Sequence, residues 1–203
     1  MKTIDEGYIK YDSDWSEAPA PFPAASAELE RWRRPLYEAG LIGHYEALGI
    51  GFGNISTRCG DAGQFLISGT QTGHVPRTDE SHYALVSAYD IEANSVRCIG
   101  PIQASSEAMT HAAIYELDAG IGAIVHAHSH ELWLRLLDQL PTTDASVAYG
   151  TPQMASEFIR LFRETDFAQE GLAVMGGHDD GLISTGRNME EAATRMLLLA
   201  DSR

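Results

Sequence analysis

Ile124-Val125-His126-Ala127-His128 carries the clearest chemical signal in the chain. An apolar run of this kind reads as a strand, and side chains alternate along a strand. His126 and His128 therefore share one face, with Val125 and Ala127 on the other. Two imidazoles on one face are a ready pair of metal ligands. Zinc prefers imidazole nitrogen, and a catalytic zinc site takes three protein ligands and keeps one position open. Neutral histidines also sit hydrogen-bonded in ordinary cores, so the pair alone does not define a site. A third ligand has to come from elsewhere, and His178 is the candidate, in Gly176-Gly177-His178-Asp179-Asp180-Gly181 between two strand-like segments. Taken alone it reads as a solvated turn histidine. His130 continues the spacing but falls where Ser129-His130-Glu131 opens a helix. His44, His74, His82 and His111 are scattered and read as structural or surface residues.

Glu107 follows Ser105-Ser106 at an expected helix start. An acidic residue there is ordinary compensation of the helix dipole. Its functional reading is a carboxylate beside the metal, as ligand or as carrier of a proton. Gly51 to Asn54, Ser68-Gly69-Thr70 and Ser105-Ser106 offer backbone N–H groups and hydroxyls, the last at a helix N-terminus. Such groups can hold phosphate or carboxylate without lysine, although each stretch is also plain turn chemistry. The dinucleotide fingerprint is excluded, because Gly49 and Gly51 would need glycine where Asn54 stands.

The composition narrows the chemistry further. The only lysines are Lys2 and Lys10. Schiff-base and pyridoxal chemistry need a lysine held in a pocket, so carbon–carbon chemistry here needs another electron sink. Lys plus Arg is 14 against 29 Asp plus Glu, a net charge of −15, which repels nucleic-acid backbones and anionic membrane surfaces. Cys59 and Cys98 make no disulfide framework and no CxxC. The N-terminal residues are polar, and no apolar run reaches about 18 residues, so neither a secretory leader nor a membrane span is expected and the cytoplasm is the default setting.

The elements that must position these groups follow from the pattern. The 203 residues suit one domain, and 44% hydrophobic residues suffice for a core. Residues 1–25, with Tyr8, Tyr11 and Trp15 before alternating Pro19, Pro21 and Pro23, read as a Pro-rich arm: a flexible leader, or a strap packing its aromatics on a neighbouring subunit. Residues 26–203 form the domain. A helix is expected over 26–34, capped by Ser26 and kinked or restarted at Pro35. Strands are expected over 55–58, 64–68, 83–90, 95–99, 123–127, 172–176 and 181–185, and helices over 107–119, 131–140, 153–165 and 189–200. That mixture makes an α/β or α+β three-layer domain.

Taken in order, Gly53-Asn54-Ile55-Ser56-Thr57-Arg58, Phe65-Leu66-Ile67-Ser68-Gly69-Thr70, Ser105-Ser106-Glu107 with His111, His126-Ala127-His128, Tyr149-Gly150-Thr151-Pro152, and His178 to Gly181 before Asn188-Met189-Glu190-Glu191-Ala192 resemble the class II aldolase/adducin family. The resemblance spans about residues 27–200. It implies an α/β fold: a single three-layer domain whose central, largely antiparallel sheet has helices on both faces. It implies Zn2+ or another divalent metal on His126, His128 and His178, with Glu107 as the acid/base residue. Phosphate contacts would fall on Gly53, Asn54, Ser68, Gly69, Thr70, Ser105 and Ser106. The implied activity is that of a metal-dependent lyase acting on a small hydroxy-carbonyl compound, a phosphorylated sugar among the candidates, through a zinc-stabilised enediolate. A same-fold epimerase, dehydratase or decarboxylase, and a non-catalytic adducin-like module, are the alternatives. Epimerases of the family usually carry Asp at position 107, and adducin heads lack the three histidines. The implied partners are a small-molecule substrate and further copies of the chain in a homotetramer. The chain also departs from the fuculose-phosphate type. No tyrosine lies between 129 and 148 to protonate the leaving aldehyde, and Tyr149 is the nearest substitute. The loop Gly69-Thr70-Gln71-Thr72-Gly73 is longer than the family's, and a C-terminal tail closing the site is not expected beyond Arg203.

Overall fold

A computed structural model describes residues 7–201 of the protein. Its elements in chain order are β1 (Asp12–Glu17), α1 (Pro23–Glu38), β2 (Gly43–Tyr45), β3 (Ile50–Phe52), β4 (Asn54–Arg58), β5 (Phe65–Ser68), β6 (Tyr83–Asp90), β7 (Ser95–Gly100), α2 (Ala108–Leu117), β8 (Ala123–His128), α3 (His130–Leu136), α4 (Pro152–Glu164), α5 (Phe167–Glu170), β9 (Leu172–Val174), β10 (Gly181–Gly186) and α6 (Met189–Asp201). Eight strands form one sheet in the order β1-β7-β6-β5-β4-β8-β10-β9, while β2 and β3 make a separate hairpin. Every pairing in the large sheet is antiparallel except β1 with β7.

Alternation along the strands divides the core in two. Phe65, Ile67, Val86, Ile124 and Ile183 turn to one face and pack with residues of α2, α4 and α5 such as Met109, Phe158 and Phe167. Leu66, Leu85, Val125, Ala127 and Leu182 turn to the other, against Leu29 and Leu36 of α1 and Met196 of α6. The expected three layers, with a largely antiparallel sheet between helices, are therefore present. Among the described residues no helix is long and apolar enough to cross a membrane.

Some local expectations needed correction. Within the expected arm, residues 12–17 are not a loose leader: they add an edge strand to β7, from Asp12 opposite Ser95 to Glu17 opposite Gly100. Their side chains are almost all exposed, so the strand is held by its backbone and leaves no apolar alternation to read. Residues 1–6 of the arm lie outside the described residues. The first helix starts at Pro23, at a position where proline loses no hydrogen bond, rather than behind a Ser26 cap. It runs unbroken through Pro35 because Leu29, Arg33 and Leu36 bury the same face on both sides of that residue.

Tyr11 shows what this N-terminal segment contributes. Its ring is buried in the core beneath α2. Its hydroxyl donates to the carbonyl of Ser105 at 2.8 Å, one of the residues that lead into α2. Burial holds that phenol protonated by raising its pKa. Removing the hydroxyl leaves the buried carbonyl of Ser105 without this donor. Tyr11→Phe is expected to lower unfolding free energy by about 1–2 kcal/mol in urea titration. An unchanged midpoint would show that the segment contributes nothing to the α2 start.

Candidate metal centre

The three histidines expected from the sequence meet in space. The antiparallel pairing of β4, β8 and β10 sets Asn54 opposite His126 and Gly181 opposite His128. His126 and His128 turn to the α2 face, as their spacing requires. The turn between β9 and β10 folds back through hydrogen bonds from His178 N–H to the Met175 carbonyl and from Gly181 N–H to the His178 carbonyl. This brings the His178 Nε2 to 2.9 Å from the His128 Nε2, which lies 3.0 Å from the His126 Nε2. His178 is only 3% exposed, so the solvated-turn reading does not hold. Gly181 makes the approach possible: a Cβ there would fall 2.5 Å from the His178 ring.

The outer ring nitrogens fix which nitrogen faces inward. His126 Nδ1 lies 3.2 Å from the Leu182 carbonyl, which can only accept, so Nδ1 carries the proton and Nε2 keeps its lone pair. His128 Nδ1 faces the Tyr45 hydroxyl at 3.2 Å, and that hydroxyl donates to Asp180. His128 Nδ1 is then the donor, and its Nε2 also keeps a lone pair. His130, expected only to open α3, holds the other oxygen of Asp180 at 2.7 Å. Burial first, then the neighbouring imidazoles, pushes His126 and His128 well below the ordinary histidine range, so both are neutral at pH 7. Together the three side chains form a buried group that could hold a metal ion. Two ligands of a tetrahedral zinc stand about 3.3 Å apart, close to the 2.9 and 3.0 Å that separate His128 from its two neighbours, and all three ligand atoms lie within 4.8 Å of one another.

Glu107 sits at the N-cap of α2, and Ser105 Oγ accepts from its backbone N–H. Its carboxylate is buried and reaches within 4.0 Å of the His178 Nε2. Tyr149 lies edge-on to His178, with ring centroids 4.4 Å apart. Its hydroxyl is engaged with the backbone of Tyr8, and the Lys10 ammonium lies over its ring. The Tyr149 hydroxyl is thus engaged by the N-terminal segment while its ring packs against His178.

The small-residue stretches also converge. Ser105 N–H donates to the Ser68 carbonyl and Thr70 N–H to the Gln103 carbonyl, tying two loops together. Gly53, Asn54, Gly69, Ser105 and Ser106 line one small pocket. Ser68 and Thr70 are not among its walls; the Ser68 hydroxyl instead accepts from Ile55 N–H inside the sheet. Sequence reasoning missed Tyr45, Asp180 and Gln71. Tyr45 ends a strand of three residues, too short to show a period, Gln71 lies in a loop, and Asp180 read as turn chemistry.

The model of the Class II Aldolase and Adducin N-terminal domain matches residues 36–202, and the chain belongs to that family. In fold it is similar to a sugar-phosphate aldolase from Thermotoga maritima, with 17% identity over 88% of this chain and 91% of that one, at a TM-score of 0.67. The L-fuculose-1-phosphate aldolase of Thermus thermophilus shares 22% identity over 88% and 90% of the two chains, at a TM-score of 0.63. YgbL of Klebsiella pneumoniae, whose reaction is named only as aldolase/epimerase/decarboxylase, shares 18% over 88% and 86%, at a TM-score of 0.66.

His111 lies fully buried on α2, with Nδ1 2.7 Å from Ser56 Oγ. Burial lowers its pKa from 6.5 to about 3. Between those values the unfolded chain binds a proton that the folded chain refuses. Stability is therefore full above about pH 6.5 and falls as pH drops toward about 3, by up to about 1.4 kcal/mol per pH unit for each such histidine. Urea titrations of the metal-free chain at pH 7.5 and 5.5 are expected to show this loss, and His111→Asn to make it shallower. An equal pH slope in the variant would reject His111 as a source.

Proposed function

We propose that this protein is a zinc-dependent lyase of the class II aldolase type, acting on a small hydroxy-carbonyl compound. The observation that carries the reading is the meeting of three imidazole Nε2 atoms beside a buried carboxylate. His126, His128 and His178 would hold the ion through Nε2. The Leu182 carbonyl and the Tyr45–Asp180 pair keep the rings turned inward. A divalent cation held there would supply a Lewis acid for the substrate carbonyl. Glu107 is the proton carrier. In condensation it takes a proton from the carbon beside the carbonyl, and the new hydroxyl takes its proton from solvent; in cleavage the hydroxyl proton leaves to solvent, the carbon–carbon bond breaks, and Glu107 then returns a proton to the carbon. Lys10, the one lysine among the described residues, lies over the Tyr149 ring, and the electron sink proposed here is the cation rather than a Schiff base. A homotetramer is the assembly that the family resemblance implies, and the cytoplasm is the proposed setting.

Metal analysis of the purified chain tests the reading first, with about one divalent ion per chain expected. His126→Ala should lose the ion and keep the fold by circular dichroism. Glu107→Gln should keep the ion and slow exchange of the substrate's carbon-bound proton with solvent by about 10²–10⁴-fold. Undiminished exchange would remove Glu107 from the role. Product analysis by NMR separates bond cleavage from epimerisation.

A further inference from the structure

The pocket beside the histidines has the ingredients of an anion cradle. It lies at the N-terminus of α2, a helix of 10 residues, with the small side chains of Ser105 and Ser106 in its wall. Its free volume is nevertheless about 10 Å³, at the lower edge of what holds one water. The Gln71 side chain lies in its wall and engages both sides. The Gly51 N–H donates to Gln71 Oε1 at 2.8 Å, and Gln71 Nε2 donates to the Gly7 carbonyl at 2.9 Å. The fit is tight: a Cβ on Gly7 would fall 2.2 Å from Gln71 Nε2.

Gln71 is also held in an uncommon backbone state, with φ of 58°. A left-handed glutamine carries strain that its surroundings must offset. The loop is clamped from below by Arg33, whose buried guanidinium donates to the carbonyls of Thr72 and Val75 at 2.9 and 2.8 Å. That cation is spent on the loop's own carbonyls, and neither lysine nor arginine lines the pocket. A second wall residue gives the remaining chemistry. Asn54 is 6% exposed, and its Oδ1 has no hydrogen-bond partner among the described residues. A buried acceptor wants a donor. A phosphate oxygen cannot supply one when fully ionised, but a hydroxyl can.

We propose that Gln71 is a specificity-determining plug: its carboxamide fills the cradle and occupies the Gly51 backbone N–H, so that the substrate of this protein is an unphosphorylated hydroxy-carbonyl compound with a hydroxyl directed to Asn54. This rests on the three-histidine site being where the substrate reacts. The plug itself is a statement about space and donors, and it can be tested without turnover.

Inorganic phosphate is titrated calorimetrically into the metal-free full chain, as wild type, Gln71→Gly and Gln71→Glu. Glycine relieves the left-handed strain and empties the wall, so that variant should fold at least as well as the wild type. It is expected to bind phosphate about tenfold or more tightly than the wild type, a difference of about 1.4 kcal/mol. Gln71→Glu keeps the bulk and an acceptor for Gly51, and should bind no phosphate. Wild type binding phosphate as well as Gln71→Gly would overturn the plug, as would binding by Gln71→Glu. In the zinc-loaded chain, solvent deuterium exchange is then followed on dihydroxyacetone and its monophosphate. Faster exchange on the free triose supports the proposal, and faster exchange on the ester overturns it. Exchange on neither would sink the functional reading, and the phosphate titrations would still decide the role of Gln71.

Discussion

Three imidazole nitrogens gathered in one buried group are the constraint on which the rest of the structure turns. Each ring has two nitrogens, and the inner one is useful only when the outer one is held. The Leu182 carbonyl holds His126 and the Tyr45 hydroxyl holds His128, with Asp180 behind the tyrosine and His130 behind Asp180. These supports come from β10, from the β2–β3 hairpin, from the β9–β10 turn and from α3. Most of the elements near the end of the sheet are therefore committed to the orientation of two rings.

The sheet makes this economical. His126 and His128 need no loop to aim them, because strand alternation does so. Only His178 depends on a turn, and there the chain gives up side chains to gain approach. A methyl group at Gly181 would meet the His178 ring, and one at Gly177 would fall 2.0 Å from the Val147 carbonyl. The same end of the sheet receives the loops after β3, β5 and β7. Backbone hydrogen bonds between residues 68–70 and 103–105 draw them into one wall. Glu107 then enters at the start of α2, where its backbone caps the helix and its carboxylate reaches the histidines.

Legibility in the sequence followed periodicity. The strand bearing His126 and His128 and the helices with an apolar face were readable, because burial imposes a period of 2 or about 3.6 on them. His178 was readable only as a partner for the other two, since a turn carries no period of its own. The strand at Asp12–Glu17 was not readable. An edge strand with exposed side chains pairs through its backbone, and its residue types are free to look like a leader. The helix across Pro35 hid for the opposite reason: a tertiary face outweighed a local breaker. Gln71 left no trace either. Its position depends on a left-handed backbone and on contacts with Gly7 and Gly51, residues 64 and 20 positions away.

A purely structural account of the histidine cluster meets a difficulty of its own. Buried polar groups are tolerated when each is satisfied, and an apolar core of equal volume is otherwise the better solution. Here two Nε2 atoms at 3.0 Å both keep lone pairs once their outer nitrogens donate. Such a pair repels rather than bonds, unless a proton or a cation sits between them. Burial opposes the proton, since both rings are pushed well below the ordinary histidine range. A cation meets the same desolvation cost but is shared among three ligands, with the Glu107 carboxylate 4.0 Å from His178 to offset its charge. A divalent cation shared by the three rings would leave no nitrogen opposed, with the Glu107 carboxylate offsetting half of its charge, and this arrangement is consistent with the proposed chemistry.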